Sequence, residues 1–216
     1  LDRSSAASDV YKRQEYARAE PLYERALSIR ETSLGPRDPA VATTLSNLAL
    51  LYKTKGDFTR AEPLFLRAVS INETSPRADA SELAASLSNL ATLYAATGEP
   101  GRAVPLLQRA LVIWEKTLGP KHPDVATSLN NLAEIYRTVG DYERAEPLLL
   151  RAMNINEAAL GPEHPLVVGS LSNLALVYVA RHNYAGAEPL LQRALATREK
   201  VLGVEHPQVA ATLYSL

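Results

Sequence analysis

The sequence contains no cysteine, one methionine, one tryptophan and two phenylalanines among its 216 residues. Without cysteine the chain has no disulfide, thiol nucleophile or zinc–thiolate site. This composition is compatible with a reducing compartment, and we expect a cytoplasmic protein. No apolar run approaches the ~20 residues of a membrane-spanning helix, so we expect no membrane segment. The formal net charge of −1 gives no electrostatic reason to bind nucleic acid or an anionic membrane.

What the sequence does contain is a repeat with a period of 42 residues. The same residue types recur at this spacing along nearly the whole chain, and a fixed period of this size is typical of stacked repeat proteins. Such chains grow through contacts between neighbouring repeats and have no single closed core. The recurring residues include Asn47, Asn89, Asn131 and Asn173; Tyr52, Tyr94, Tyr136 and Tyr178; and Pro21, Pro63, Pro105, Pro147 and Pro189.

The first 14 residues do not follow this period. Ser4–Gln14 resembles the in-frame translation of a transposase adapter used in DNA library preparation, which predicts a non-native leader over residues 1–14. The alternative is a natural polar tail that is disordered or weakly helical. The period then predicts a repeat array over 15–216, made of a half repeat (15–39), four whole repeats (40–81, 82–123, 124–165 and 166–207) and a truncated repeat (208–216).

Each repeat is predicted to form two antiparallel helices. In the third repeat the first helix follows Pro123, and its apolar residues recur at helical spacing. Gly140 and Asp141 then predict a left-handed helix end followed by the cap of the second helix. Pro147 lies inside that second helix, where we expect a tolerated bend. Such a hairpin cannot cover its apolar face alone, so the sequence predicts an all-α stack.

Two connections depart from the repeated pattern. Ser75–Ser81 replaces the usual linker between the first and second whole repeats, and we expect Asp79 or Ser81 to cap the following helix. His182 and Asn183 replace the Gly-Asp pair in the fourth repeat, and both residue types tolerate left-handed or capping geometry.

The recurring pattern of large and small apolar residues resembles the tetratricopeptide repeat. Its longer period, with LNNLAEIY and AEPLLLRA followed by LGPEHP, is similar to the 42-residue variant of kinesin light chains and of many bacterial multidomain proteins. The resemblance implies a right-handed superhelical solenoid whose first helices line a concave groove. It also implies that the groove holds an extended peptide or a helix of a partner protein.

A polar stripe on the first helices is the candidate binding surface. Because Asn is a mediocre helix former, its recurrence at one position suggests a role for its amide, which offers two donors and one acceptor. Two interpretations remain open: the amides bind the backbone of a peptide, or each bonds a neighbouring helix. The candidate groove residues are Asn47, Asn89, Asn131, Asn173, Ser46, Ser88, Asn130, Ser172, Thr127, Glu134, Lys53 and Arg137.

The charges on this stripe are few. The resemblance to tetratricopeptide repeats also suggests comparison with the dicarboxylate clamp that some of them contain. In that clamp, Lys or Arg lies four residues before the Asn positions. This chain has Thr43, Ala85, Thr127 and Gly169 there, which disfavours such a clamp. Lys53 and Arg137 lie one turn further on, where they either attract an acidic peptide or are solvated charges.

Two further features invite a functional interpretation. His122, His164 and His206 recur in successive linkers, too far apart to converge on one metal ion, so we interpret them as structural. Trp114 stands where other repeats have polar residues, which predicts an exposed side chain that anchors a partner or packs onto the loop near Pro76.

No arrangement of nucleophile, base and orienting group follows from the sequence, and no phosphate-binding loop is present. We therefore expect a non-catalytic scaffold without cofactor or metal, which binds a peptide or helical segment of another protein or of its own full-length protein. One alternative is the sensor arm of a larger bacterial peptidase or signalling ATPase. Another is a kinesin-type cargo adaptor, which requires an upstream coiled coil.

Overall fold

The computed structural model describes residues 3–216, with side chains described at Tyr16 and from Arg18 onward. Over this range the chain forms ten helices and no strand, which confirms the predicted all-α array of helix hairpins. The helices are α1 (Arg3–Leu34), α2 (Pro39–Thr54), α3 (Phe58–Thr74), α4 (Ala80–Ala96), α5 (Pro100–Leu118), α6 (Pro123–Thr138), α7 (Tyr142–Leu160), α8 (Pro165–Ala180), α9 (Tyr184–Leu202) and α10 (Pro207–Ser215).

The chain divides into two compact units, Leu1–Ala110 and Leu111–Leu216. In the first unit α2 packs against α1, α3 and α4, and α3 also packs against α4. In the second unit α8 packs against α6, α7 and α9, while α6 also contacts α7 and α9 contacts α10. Within each unit, neighbours in sequence are therefore neighbours in space, and the first helices of successive repeats touch one another.

The 42-residue period is also the period of the core. In the first whole repeat, the buried cluster contains Val41, Ala42 and Leu45 of α2 with Ala68 and Ile71 of α3. The third repeat has the same cluster 84 residues later, at Val125, Ala126, Leu129, Ala152 and Ile155. Each cluster also receives a side chain from the preceding second helix, namely Leu27 in one and Leu111 in the other. A hairpin thus depends on its neighbour for burial, as the sequence predicts.

The linker histidines begin the next helix. His122, His164 and His206 are the N-caps of α6, α8 and α10, and each Nδ1 accepts a hydrogen bond at 3.2 Å from the backbone N–H two residues later. A cap satisfies a backbone donor that the first turn of a helix leaves unpaired. The interpretation of these residues as structural is confirmed.

The predicted helix breaks also form as expected. Gly140 has φ 79°, a left-handed conformation that favours glycine, and the Asp141 side chain accepts from the N–H of Arg144 at 3.1 Å. In the fourth repeat His182 takes the left-handed position with φ 59°, and Asn183 caps α9. In the irregular connection Asp79 caps α4 through a capping box with Glu82.

Pro147 lies inside α7, and the helix continues through it, so this proline does not interrupt the second helix of its repeat. The predicted leader, residues 1–14, lies outside the residues whose side chains the structure describes, although α1 begins at Arg3. The adapter origin of Ser4–Gln14 stays a prediction.

Candidate functional site

The candidate site is the first-helix face, which we define as the side of α2, α4, α6 and α8 that carries the recurring asparagines. Asn47 is exposed, and Asn89, Asn131 and Asn173 are half-buried. Hydrogen bonds are extensive elsewhere in the described residues, but none involves the side-chain amides of these four asparagines. The first-helix face therefore presents two such amides in each unit, with their donors and acceptors available.

The neighbouring polar residues are less available. Ser46 and Ser88 are buried, and the hydroxyls of Ser172 and Thr127 donate to the backbone carbonyls of Val168 and Pro123 in their own helices. These four candidates therefore present less hydrogen-bonding capacity to a ligand than the asparagines do.

Asn130 differs from its neighbour Asn131. Its Nδ2 donates to the carbonyl of Ala126 at 3.0 Å and to Oγ of Ser170 at 3.2 Å, which joins α6 to α8. Asn130 thus bonds a neighbouring helix, which is one of the two interpretations, whereas the amide of Asn131 bonds no other group of the described chain.

The two cations of the face have different surroundings. Arg137 forms a bidentate pair with Glu134, with N–O distances of 2.7 and 2.5 Å, and this pairing raises the pKa of the guanidinium. Arg137 and Glu134 therefore neutralise each other. Lys53 is half-buried, and its Nζ donates to Oγ1 of Thr92 on α4 at 2.7 Å.

Lys53 has no carboxylate partner among the residues that the structure describes. Burial lowers the pKa of its ammonium, since removal of water disfavours the charged form. Lys53 is thus a partly desolvated cation held between the first helices of the first unit, and not a fully solvated charge.

A separate polar cluster links successive repeats near the end of each first helix. Tyr94 Oη donates to Oε1 of Glu62 at 2.9 Å, and Arg102 lies 3.8 Å from the Tyr94 ring centroid while contacting Glu62 at 2.8 Å. The same tyrosine-to-glutamate bond joins Tyr52 to Glu20 and Tyr178 to Glu146. Glu20, Glu62 and Glu146 therefore form contacts between successive repeats.

We predict that this cluster makes stability fall at high pH. Burial of the ring and the hydrogen bond to Glu62 raise the pKa of Tyr94 to about 12, above its ordinary value of about 10. The stability from this protonated hydroxyl is complete below pH ~10 and is lost as pH rises to about 12. Denaturant titrations across this range should show the loss, and Tyr94→Phe should make it shallower. A tyrosinate absorbance change near pH 10 assigned to Tyr94, by difference from Tyr94→Phe, contradicts this prediction.

The second helices carry another inter-repeat contact. An arginine of each pairs with the glutamate 36 residues earlier: Arg67 with Glu31, Arg109 with Glu73, Arg151 with Glu115 and Arg193 with Glu157. Because all of these side chains are substantially exposed, each pair contributes little to stability.

The prediction for Trp114 is wrong. Trp114 is half-buried and packs against the core cluster of Val125, Ala126 and Leu129. Two of the polar residues at the same position in other repeats, Asn72 and Asn156, are buried. Asn72, Arg198 and the exposed Arg30 bond the hydroxyls of Ser86, Thr212 and Thr44. The amide of Asn156 has no hydrogen-bond partner in the described structure. The sequence did not predict these hydrogen bonds.

The first-helix face offers amides, a cation and a neutralised ion pair as its polar groups. In the part of the chain that the structure describes, no three histidine, aspartate or glutamate side chains cluster in a way that could hold a metal ion. Over the same residues, none of the helices is both long enough and apolar enough to span a bilayer.

Comparison with known proteins identifies the family. The profile described as "Tetratricopeptide repeat" matches residues 4–74, 82–158, 129–199 and 166–216, and these segments together cover most of the sequence. The chain belongs to the tetratricopeptide repeat family. Proteins of this family are in general scaffolds for protein–protein interaction. No curated protein matches the chain.

Solved structures of tetratricopeptide repeat proteins agree with this assignment. BtubC (BKLC) from P. vanneervenii superposes with a TM-score of 0.81 at 27% identity, over 95% of this chain and 81% of that one. The putative kinesin light chain repeats from Podosopora anserina give 0.74 at 28% identity, over 91% and 93%. The resemblance to kinesin-light-chain-like repeats is confirmed. RapI, at 18% identity and a TM-score of 0.75, shares the fold, and the match spans 52% of its length.

Proposed function

We propose that each unit binds an extended segment of another protein along its first-helix face, where the recurring asparagines hydrogen-bond the backbone of that segment. The observation that carries this proposal is that the amides of Asn47, Asn89, Asn131 and Asn173 bond no other group of the described chain. An amide offers two donors and one acceptor, enough to bind a peptide unit through both its N–H and its C=O.

The expected spacing of the first helices suits an extended ligand. Packed helices lie about 10 Å apart, and three residues of an extended chain span about 10 Å. Two asparagines on adjacent first helices therefore match peptide units three residues apart. Recognition through the backbone places few demands on the side chains of the ligand.

Lys53 adds a charge preference in the first unit. Its half-buried ammonium has only the neutral hydroxyl of Thr92 as a described partner. A carboxylate bound there forms a charge-assisted hydrogen bond in a partly desolvated setting, where such bonds are stronger than neutral ones. We therefore propose that the segment bound by the first unit carries Asp or Glu opposite Lys53.

The test is selection of a phage-displayed library of random linear peptides against the full chain. Peptides selected by the wild type should bind the variant with all four asparagines replaced by Ala at least about tenfold more weakly, since each lost hydrogen bond contributes about 1 kcal/mol. Asn154→Ala is the matched control, because Asn154 is an exposed asparagine on the second helix α7. Equal affinities for the wild type and the fourfold variant overturn the proposal.

The charge preference is tested in the same selection. Lys53→Met keeps the length of the side chain and removes its charge, so enrichment of Asp and Glu among selected peptides should disappear. Lys55→Met is the control, because Lys55 already pairs with Glu20. If acidic residues are enriched equally with Lys53→Met, Lys53 does not bind a carboxylate.

The alternatives concern sequence beyond this chain. A sensor arm of a larger enzyme and a kinesin-type cargo adaptor both use the same scaffold, and they stay predictions, as do the intramolecular partner and the cytoplasmic location.

A further inference from the structure

The fourth repeat contains a partly enclosed cavity of about 210 Å³ within the second unit. It lies between the start of α8, the end of α9 and the first turn of α10. Pro165 and Val168 of α8 and Val201 and Leu202 of α9 give it apolar walls. Because an engineered protein cavity of about 150 Å³ holds benzene, this space is large enough for one ring and a small polar group.

Two small residues of the fourth repeat open this space. Gly169 on α8 lines the cavity at the position where the third repeat has Thr127, and a Cβ atom added there would meet no atom within 4 Å. Thr197 on α9 lines it at the position where the third repeat has Ile155, which is 6% exposed and belongs to the core. Both differences lie in the sequence of the fourth repeat itself, so the cavity is a property of this repeat.

The cation of the cavity is the guanidinium of Arg198. Arg198 is half-buried, its Nη1 donates to Oγ1 of Thr212, and it has no carboxylate partner among the residues that the structure describes. Burial lowers the pKa of its guanidinium, since removal of water disfavours the charged form. Glu163 also lines the cavity, but its carboxylate already pairs with Lys200 at 2.5 Å. A guanidinium has five N–H donors, so Arg198 can bind a further acceptor.

We propose that this cavity binds a small monocarboxylic acid with a compact apolar body, of about the size of benzoate. The walls bury the apolar body, and Arg198 donates charge-assisted hydrogen bonds to the carboxylate. Such bonds are stronger than neutral ones, and the planar guanidinium matches the geometry of a carboxylate. The site uses none of the four recurring asparagines, so the inference goes beyond the proposed peptide binding and does not depend on it.

The experiment measures binding of three probes to the full chain by isothermal titration calorimetry. Benzoate should bind with a Kd of about 1 mM, the range expected for so small a ligand. Benzamide has the ring without the charge, and acetate has the charge without the ring, so each should bind at least about tenfold more weakly. If benzamide or acetate binds as tightly as benzoate, the cavity does not select an apolar carboxylate and the proposal fails.

Removal of the cation is the first test by mutation. Arg198→Met should weaken benzoate binding at least about tenfold, because the carboxylate loses its charged donor. Arg30→Met is the matched control: Arg30 occupies the same repeat position in the first unit and bonds the hydroxyl of Thr44 in the same way. The control should leave the affinity for benzoate unchanged. An equal loss of affinity in both variants contradicts a direct role of Arg198.

Filling the cavity is the second test, and it decides the matter if Arg198→Met does not fold. Gly169→Thr installs the residue type of the third repeat, and it should fold at least as well as the wild type because Gly is the poorer helix former and space is available. It should weaken benzoate binding at least about tenfold. Gly101→Thr is the control, because Gly101 is a glycine of α5 that also has free space around it.

The variant with Asn47, Asn89, Asn131 and Asn173 all replaced by Ala should bind benzoate as tightly as the wild type, which separates this site from the proposed peptide binding. Loss of benzoate binding in that variant contradicts the separation of the two sites. The proposal is also overturned if the wild type binds no benzoate up to about 20 mM, or if Gly169→Thr binds benzoate as tightly as the wild type does.

Discussion

Replacing Asn47, Asn89, Asn131 and Asn173 together with Ala is expected to raise the free energy of unfolding by about 2 kcal/mol. Asn in a helix interior is less favourable than Ala by roughly 0.5–0.7 kcal/mol per residue. These four amides form no hydrogen bond to another group of the described chain that the substitution could break. The expected rise in melting temperature is about 5 °C for a chain of this length. Thermal and urea unfolding followed by circular dichroism measure the change.

Asn130→Ala is the matched control, because Asn130 lies beside Asn131 but bonds Ala126 and Ser170. Loss of these two bonds should offset the gain in helix propensity, so this variant should be no more stable than the wild type and up to about 1 kcal/mol less stable. A fourfold variant that is less stable than the wild type shows that the recurring asparagines support the fold. A fourfold variant that is more stable and also binds selected peptides weakly shows that binding is maintained at a cost in stability.

The hairpins and their ends could be predicted from the sequence because they depend on local chemistry. Gly140 with Asp141, and His182 with Asn183, break and cap helices through the conformations available to those residues alone. The core positions could be predicted equally well, because a 42-residue period places the same residue types at the same contacts in each repeat. Pairing between side chains was less predictable, as Lys53 shows: its burial depends on the packing of α4 against α2.

The hydrogen bonds at this polar position could not be predicted while its residues were treated only as surface groups. Arg30, Asn72 and Arg198 instead donate to Thr44, Ser86 and Thr212, each 14 residues later. A signal for this pairing was present in the sequence. Hydroxyl residues recur inside the apolar stripe of every first helix, and a buried hydroxyl requires a partner.

The pairing is absent in the repeats that carry Trp114 and Asn156 at this position. Comparison of Ser86 with Ser128, which follows Trp114, gives a prediction in which the same substitution changes the free energy of unfolding in opposite directions. Ser86 is 4% exposed and its Oγ accepts from Nδ2 of Asn72 at 2.9 Å. Ser128, at the same position in the next repeat, is 0% exposed and its Oγ has no hydrogen-bond partner in the described structure, because the residue 14 positions earlier is Trp114. Ser86→Ala should lower the free energy of unfolding by about 1–2 kcal/mol, because it leaves a buried amide with fewer partners. Ser128→Ala should raise it by about 1 kcal/mol, because it removes a buried unpaired hydroxyl and introduces a better helix former.

The two variants control for each other, since each makes the same chemical change at the same position of a first helix. A difference of about 2–3 kcal/mol between them in urea unfolding isolates the hydrogen bond from the effects of helix propensity and volume, which both share. The double variant Asn72→Leu with Ser86→Ala removes both bonded partners and should recover part of the stability that Ser86→Ala loses, because no buried amide is then left unpaired. If Ser86→Ala and Ser128→Ala instead change stability by the same amount, the bond between Asn72 and Ser86 contributes nothing, and the recurring polar pair has no role in holding successive helices together.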